Sequence, residues 1–316
     1  MSFSDTTYTI PEHYPRKFSD TFAHQIQQTE SRFKAAGIVD ATWTAKEKVY
    51  RDLSKNTWRR DESRFGTTVA RETQASFRKG YKKKIVAEGL KFDQWDQHFL
   101  DQITLPTSEE MQAMRYGYER AVDDLFIEAC SEDVYGGAEP HTTAIPFPSS
   151  QQLAVNETKT GASGANLGMT PWKLLRAKKR FEDLDINLDR EEVCLAMRPQ
   201  QELELMAYVE TAPNEIWAAM IADWYKQYQS GNQGAKLLGI FKVIKSTRLA
   251  VPATDIVNCY AFTRSAFVMS PASEVRSSMD RVPEQNNMLL LQGSATVGIL
   301  RRYDERIIQI PCDQSP

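Results

Sequence analysis

Apolar residues recur along this chain with two different periods. Met111, Met114, Tyr118, Val122, Leu125 and Ala129 return at steps of three and four, which places them on one helical face. Thr107 and Glu110 form a capping box behind Pro106, and Gly136 and Gly137 follow the last apolar position. A long amphipathic helix is therefore expected over about 107–131, with that stripe as its core face. A second helix is expected to open at Thr170, with Pro171 in its first turn and a stripe of Leu174, Ala177, Phe181 and Leu184. The unit EEVCLAMRPQQELELMAYVE reads as a buried strand that passes through Pro199 into a helix, and helical spacing returns at Ile216, Trp217, Met220, Ile221 and Trp224. From 236 onward KLLGIFKVIKST, DIVNCYAFT, SAFVMS, MLLLQGSATVGILRR and RIIQIPC read as strands. Helices and strands mix without a regular βαβ alternation, so the expected class is α+β rather than a doubly wound sheet.

The front of the chain is different. Within 1–45, Phe18, Phe22, Ile26 and Phe33 stand at loosely helical spacing amid Ser, Thr and Gln, an arm too sparse in apolar residues to fold alone. From about 46 to 95 the sequence is highly charged, with isolated Val, Tyr, Trp and Phe and turn residues near Gly66 and Gly80. That pattern suggests a long, exposed, strand-rich excursion that needs a partner surface. Residues 136–168 form a loop rich in Pro, Gly, Ser and Thr, with an extended piece around AIPFPSSQQLAV.

With 316 residues, 41% of them hydrophobic, the chain can bury a sizeable core. Its net charge of -3 conceals an asymmetry: residues 1–91 hold 18 Lys plus Arg against 11 Asp plus Glu, net +7, and the remainder holds 21 against 31, net -10. A basic arm of this kind fits either nucleic acid or an acidic surface on another copy of the chain. The densest run, RKGYKKK with Arg78, Lys79, Lys82, Lys83 and Lys84, interleaves Phe77 and Tyr81. It can be read as a phosphate-binding patch, as a solvated hairpin strand, or as a contact with an acidic neighbour. No apolar run approaches the roughly 18–20 residues of a spanning helix, and the first residues lack a charged-then-apolar leader, so a cytoplasmic product with no membrane contact is expected. Cys130, Cys194, Cys259 and Cys312 lie far apart in apolar stretches and read as buried, reduced thiols.

Reactive chemistry is sparse. His13, His24, His98 and His141 are scattered. Asp93, Asp96, His98 and Asp101 stand close enough for a metal site, but their spacing matches no ligand loop and fits the solvated face of the segment leading into the long helix. GASGANLG lacks the following Gly-Lys-Ser/Thr of a phosphate loop, and Ser163 misses the G-x-S-x-G elbow by one residue. No cofactor, metal or catalytic group is expected.

Taken in order, the pieces resemble the major capsid proteins of tailed bacteriophages, which carry the fold named after phage HK-97. The resemblance runs from about residue 59 onward. It rests on the order of FDQWDQHFLDQITLPTSE, of ERAVDD inside the long helix with Arg120, Asp123 and Asp124, of the K-L-L-x-A-K run from Lys173, and of the segment GSATVGILRRYDERIIQIPCD. It implies an N-terminal arm over 1–45 and an extended β-hairpin loop over 46–95 that lies on a neighbouring subunit. It also implies a peripheral domain over 96–189 and 271–316 with its spine helix at 107–131, and an axial domain over 190–270. Arg59, Arg60, Arg64, Arg78, Lys79, Lys82, Lys83 and Lys84 become the inter-subunit contact candidates. The implied function is a shell subunit in pentamers and hexamers around double-stranded DNA, in the virion after assembly in the host bacterial cytoplasm. The implied partners are other copies, a portal, a separate scaffolding protein because only some 45 residues precede the loop, and a decoration protein. Some relatives join subunits through a Lys–Asn isopeptide, and Lys82 to Lys84 with Asn286 and Asn287 offer the residue types without arguing for the bond. A protein-cargo compartment of the encapsulin type, a basic-arm DNA-binding protein and, least of all, an enzyme stay open as alternatives.

Overall fold

The computed structural model describes residues 27–55, 60, 74–92, 107–162, 164–211, 216–232, 234–249, 255–271, 276–282 and 288–314. In chain order these form β1 (Ile38–Val39), β2 (Glu47–Leu53), β3 (Ala75–Val86), β4 (Leu90–Phe92), α1 (Thr107–Ser131), β5 (Val134–Gly136), β6 (Thr143–Ile145), β7 (Glu157–Thr158) and β8 (Gly161–Ala162). There follow α2 (Pro171–Asp183), β9 (Val193–Met197), α3 (Pro199–Thr211), α4 (Ile216–Gln229), β10 (Lys236–Leu237), β11 (Phe241–Lys245), β12 (Ile256–Thr263), β13 (Phe267–Met269), β14 (Arg276–Val282), β15 (Met288–Arg301) and β16 (Ile307–Asp313).

Helix α1 spans the residues its period predicts, and Thr170 caps α2 as expected, its hydroxyl accepting the Lys173 N–H with Pro171 in the first turn. Leu174, Ala177 and Phe181 are fully buried. Two sheets carry the rest. The smaller runs β10-β11-β9-β12-β16, with β9 parallel to β11 and antiparallel to β12. All five residues of β9 are buried, as a strand covered on both faces requires. The larger sheet has nine strands along the path β1-β13-β15-β3-β5-β6, with β2 on β3 and with β4 and β14 on β15. One core joins the sheets, with Phe126 of α1 packed against Phe262 and Phe267 at ring distances of 5.3 and 4.5 Å.

Two expectations need correction. The stretch 46–95 is not a free-standing excursion where it is described: β3 lies inside the large sheet, pairing β2, β5 and β15, because its backbone groups need partners on both sides. Within the stretch 271–316, β14 and β15 lie in the large sheet, whereas β16 pairs with β12 in the small sheet from Ile256↔Asp313 to Phe262↔Ile307. The apolar face of α1 is also rotated from the expected one. Tyr118, Val122, Phe126, Ile127, Ala129 and Cys130 are buried, whereas Met111 is 42% exposed and Met114 and Leu125 are half-buried at the flank.

Candidate functional site

The arm, where described, folds back on its own chain along α1. Asp123 is fully buried, a position that costs several kcal/mol for an isolated carboxylate. It is satisfied by the arm: Gln28 Nε2, Ser31 Oγ and the backbone N–H groups of Arg32 and Phe33 all donate to it, the last two at 3.1 and 3.2 Å. One turn earlier Glu119 accepts the Ser31 N–H and the Lys34 ammonium, and Arg120 donates to the Gln27 side chain. The Phe33 ring stacks on Phe126 at 5.1 Å, and its own exposure is zero. Asp124, on the neighbouring face, forms a bidentate pair with Arg248. The ERAVDD segment is thus the arm's seat and a clamp onto the turn after β11.

Further on, Trp43 enters a slot between β3 and β15. Gly80 and Gly298 form its walls: a Cβ at either would stand 2.6 or 2.8 Å from the indole Cη2, closer than side chains approach. Asp40 gathers Lys48, Thr42 and Tyr50 beside the slot. The Lys48 bond foremost, with those of Thr42 and Tyr50, holds its carboxyl well below the usual range. Burial and the same carboxylate push the Tyr50 phenol up.

The basic strand is largely spent inside the chain. Arg78 reaches both oxygens of Asp304 at 3.1 and 2.6 Å, and Lys79 pairs with Glu47 at 2.7 Å. Lys82 donates to the Thr44 carbonyl, and Lys83 bridges Glu128 and Glu132 of α1 at 2.9 and 2.7 Å. Lys84 is exposed and makes no ion pair with a described residue. Arg60 is exposed, and Arg59 and Arg64 lie outside the described residues, as do Phe18, Phe22, Ile26, the Asp93–Asp101 group, Ser163, Asn286 and Asn287.

Two buried cations were not anticipated. Arg301 has zero exposure, bonds Asp304 at 2.8 Å, donates to the carbonyls of Cys130 and Ile145, and lies over the Phe147 ring at 5.0 Å. With Arg78 it makes a two-arginine, one-aspartate hub that joins β15, β3, β6 and the end of α1. Lys173, equally buried, donates to the carbonyls of Leu167 and Pro311 at 2.7 and 2.8 Å and ties α2 to β16. Burial pulls its ammonium below the usual lysine range. The signal for such residues was the charge itself, set in an apolar run: Lys173 beside Leu174 and Leu175, Arg301 after GILR's apolar pair, Asp123 after Val122.

Among the described residues, the cysteines are not armed as nucleophiles. All four cysteines are buried and free, and burial, with the Glu192 charge, pushes the Cys194 thiol up to about 12. Among the described residues no group of three or more His, Cys, Asp or Glu is placed to hold a metal, and no helix is long and apolar enough to cross a membrane.

A comparison with curated protein sequences finds no match. Solved structures do match over almost the whole chain. The capsid asymmetric unit of cyanophage Pam1 superposes with a TM-score of 0.65 at 10% identity, covering 99% of this chain and 100% of that one. The capsid of Ralstonia phage GP4 gives 0.63 at 13% identity over 100% and 98%. The mature capsid of bacteriophage PhiM1 gives 0.62 at 10% identity over 96% and 93%. Identities this low establish the shared HK-97-like fold. The family described as phage capsid protein matches residues 10–314. The chain therefore belongs to the phage capsid protein family.

Proposed function

We propose that this chain is the major capsid subunit of a tailed phage, which assembles with copies of itself into pentamers and hexamers of an icosahedral shell around double-stranded DNA. The observation that carries this reading is coverage: family membership spans 10–314, and the fold fills 93–100% of the three capsid chains described above, so little of the chain is left for another task. In this reading the nine-stranded sheet with α1 is the peripheral part, and the small sheet with α3 and α4 is the axial part, with β16 added to it. On β3, Lys84 is the basic contact offered to a neighbour, since Arg78, Lys79, Lys82 and Lys83 already have partners within the chain; Arg59, Arg60 and Arg64 stay candidates by their charge and their place in the 46–95 loop. A structural role accounts for the buried, free thiols better than catalysis does. A portal, a scaffolding protein and a decoration protein are the further partners this reading implies, with assembly in the host cytoplasm.

Electron microscopy of the purified chain tests this directly. Rings or closed shells are expected, and a monodisperse monomer at every salt concentration would refute the reading. Shells from infected cells are expected to carry double-stranded DNA; shells loaded with protein cargo and free of nucleic acid would transfer the chain to the compartment class.

A further inference from the structure

Cys259 of β12 and Cys312 of β16 lie on one face of the small sheet. Cys312 pairs with Val257, and Cys259, two residues further on, pairs with Ile310, so both side chains leave their strands on the same side. Cys194 pairs with Phe262 and leaves on the other side, and Cys130 belongs to α1. The two thiols also lean together. Cys312 Sγ donates back to the Ile310 carbonyl at 3.6 Å, toward the residue opposite Cys259, and the Cys259 thiol donates to Cys312. That bond, with burial, holds the Cys259 thiol well above its usual range. Both residues are fully buried. Strand β16 ends the order of the sheet: it is bonded along its length to β12, and on its other side Gln309 is bridged to Gln152.

We propose that Cys259 and Cys312 are a redox site, which a small two-electron oxidant closes to a disulfide between β12 and β16. Diagonal Cα atoms across such a ladder stand about 7–8 Å apart and a disulfide spans up to about 6.8 Å, so closure draws the strands together by about 1 Å, a shift that an end strand can follow. The step balances simply. Each sulfur gives up its hydrogen, the sulfur–sulfur bond forms, and the oxidant takes both hydrogens and both electrons; with hydrogen peroxide the O–O bond breaks and two waters leave. Closure is slow because Cys259 is held as a thiol and both sulfurs are out of reach of bulky disulfides. The loop that the bond closes carries β13, β14 and β15, all of the large sheet. One bond thus fixes the chain's passage from the small sheet to the large one and back. A shell subunit is made in a reducing cytoplasm and later leaves it, so the site closes after release. That timing rests on the capsid reading, and the bond itself does not.

The test adds diamide, whose azo bond accepts two hydrogens, to the full natural chain, dilute and unassembled. After denaturation in iodoacetamide, free thiols are expected to fall from four to two per chain, and dithiothreitol is expected to restore them. A non-reducing peptide map is expected to give one linked peptide, joining Cys259 to Cys312 within a single chain. Cys259→Ala and Cys312→Ala chains are each expected to keep all their remaining thiols. Four thiols surviving in the natural chain, after the same diamide has consumed added glutathione, would overturn the proposal. So would a linked peptide that contains Cys130 or Cys194, or one that joins two chains. The readout needs no shells, so its failure leaves the capsid reading standing, and a failure to form shells leaves this site standing.

Discussion

At the scale of residues, the most consequential group is a charge in the wrong place. Asp123 sits on the buried side of α1 and is tolerable only because the arm brings its donors to it. Asp123→Ala leaves the Arg32 and Phe33 amides without an acceptor and should cost about 1–3 kcal/mol in urea unfolding, with Asp123→Asn, which keeps one oxygen, costing less. Gly80 carries the opposite lesson, since its importance is the absence of a side chain. Gly80→Ala should drive the Trp43 ring from its slot and cost about 1–3 kcal/mol, and Trp43→Leu in the same chain should recover part of the loss. Asp40 adds a pH signature. Its folded carboxyl titrates below the unfolded value of 3.8, so its contribution is present above that pH and is lost as the pH falls toward the depressed folded value. Acid unfolding followed by tryptophan fluorescence should therefore show a shallower stability slope below about pH 4 in Asp40→Asn.

At the scale of elements, the ends of α1 and α2 were legible because caps and periodicity are local. The buried face of α1 was not, because Leu125 and Phe126 are both apolar and differ by 100° of rotation, about one residue of helix. The choice falls to Phe126 because Phe33, Phe262 and Phe267 meet it, and each lies more than ninety residues away in the chain. Phe126→Ala should thus cost about 3–5 kcal/mol. Met111→Ala should stay within about 0.5 kcal/mol, as measured by chemical denaturation. The strand β14 escaped notice because RSSMDRV is polar; it exists as an edge added to β15. The placement of β16 depends on register with β12, which no local pattern encodes. The candidate basic contacts were recognised as a charged strand, but their partners, Asp304, Glu128 and Glu132, are far along the chain and invisible to a reading of local composition.

At the scale of the whole molecule, the basic front and acidic body complement each other first within one subunit. Lys34 meets Glu119, Arg78 meets Asp304, and Lys83 meets Glu128 and Glu132. Reversing Lys82, Lys83 and Lys84 together would therefore mix two effects, because Glu at 83 would face two glutamates of its own helix. Lys84→Glu alone is the cleaner probe: an exposed charge contributes about 0–1 kcal/mol to folding, so circular dichroism should be unchanged while particle yield at low salt falls. An unchanged yield would remove Lys84 from the contact. The arm, too, serves its own body before it serves a neighbour, so truncation after residue 36 should give insoluble protein rather than a soluble assembly mutant, as judged by fractionation of the expressed chain.

The pairing of β3 with β15 sets a clock on all of this. Ile85 meets Ala295 and Lys82 meets Gly298 across more than two hundred residues of chain, so one long edge of β3 has nothing to bond while a ribosome is still making the intervening sequence. At about 5–20 residues per second that interval lasts some 10–40 seconds, in a cell crowded with identical nascent chains. An open strand edge accepts the β15 of any copy as readily as its own. High-level expression should therefore trade yield for exchange between chains, and slower translation should restore the closed subunit.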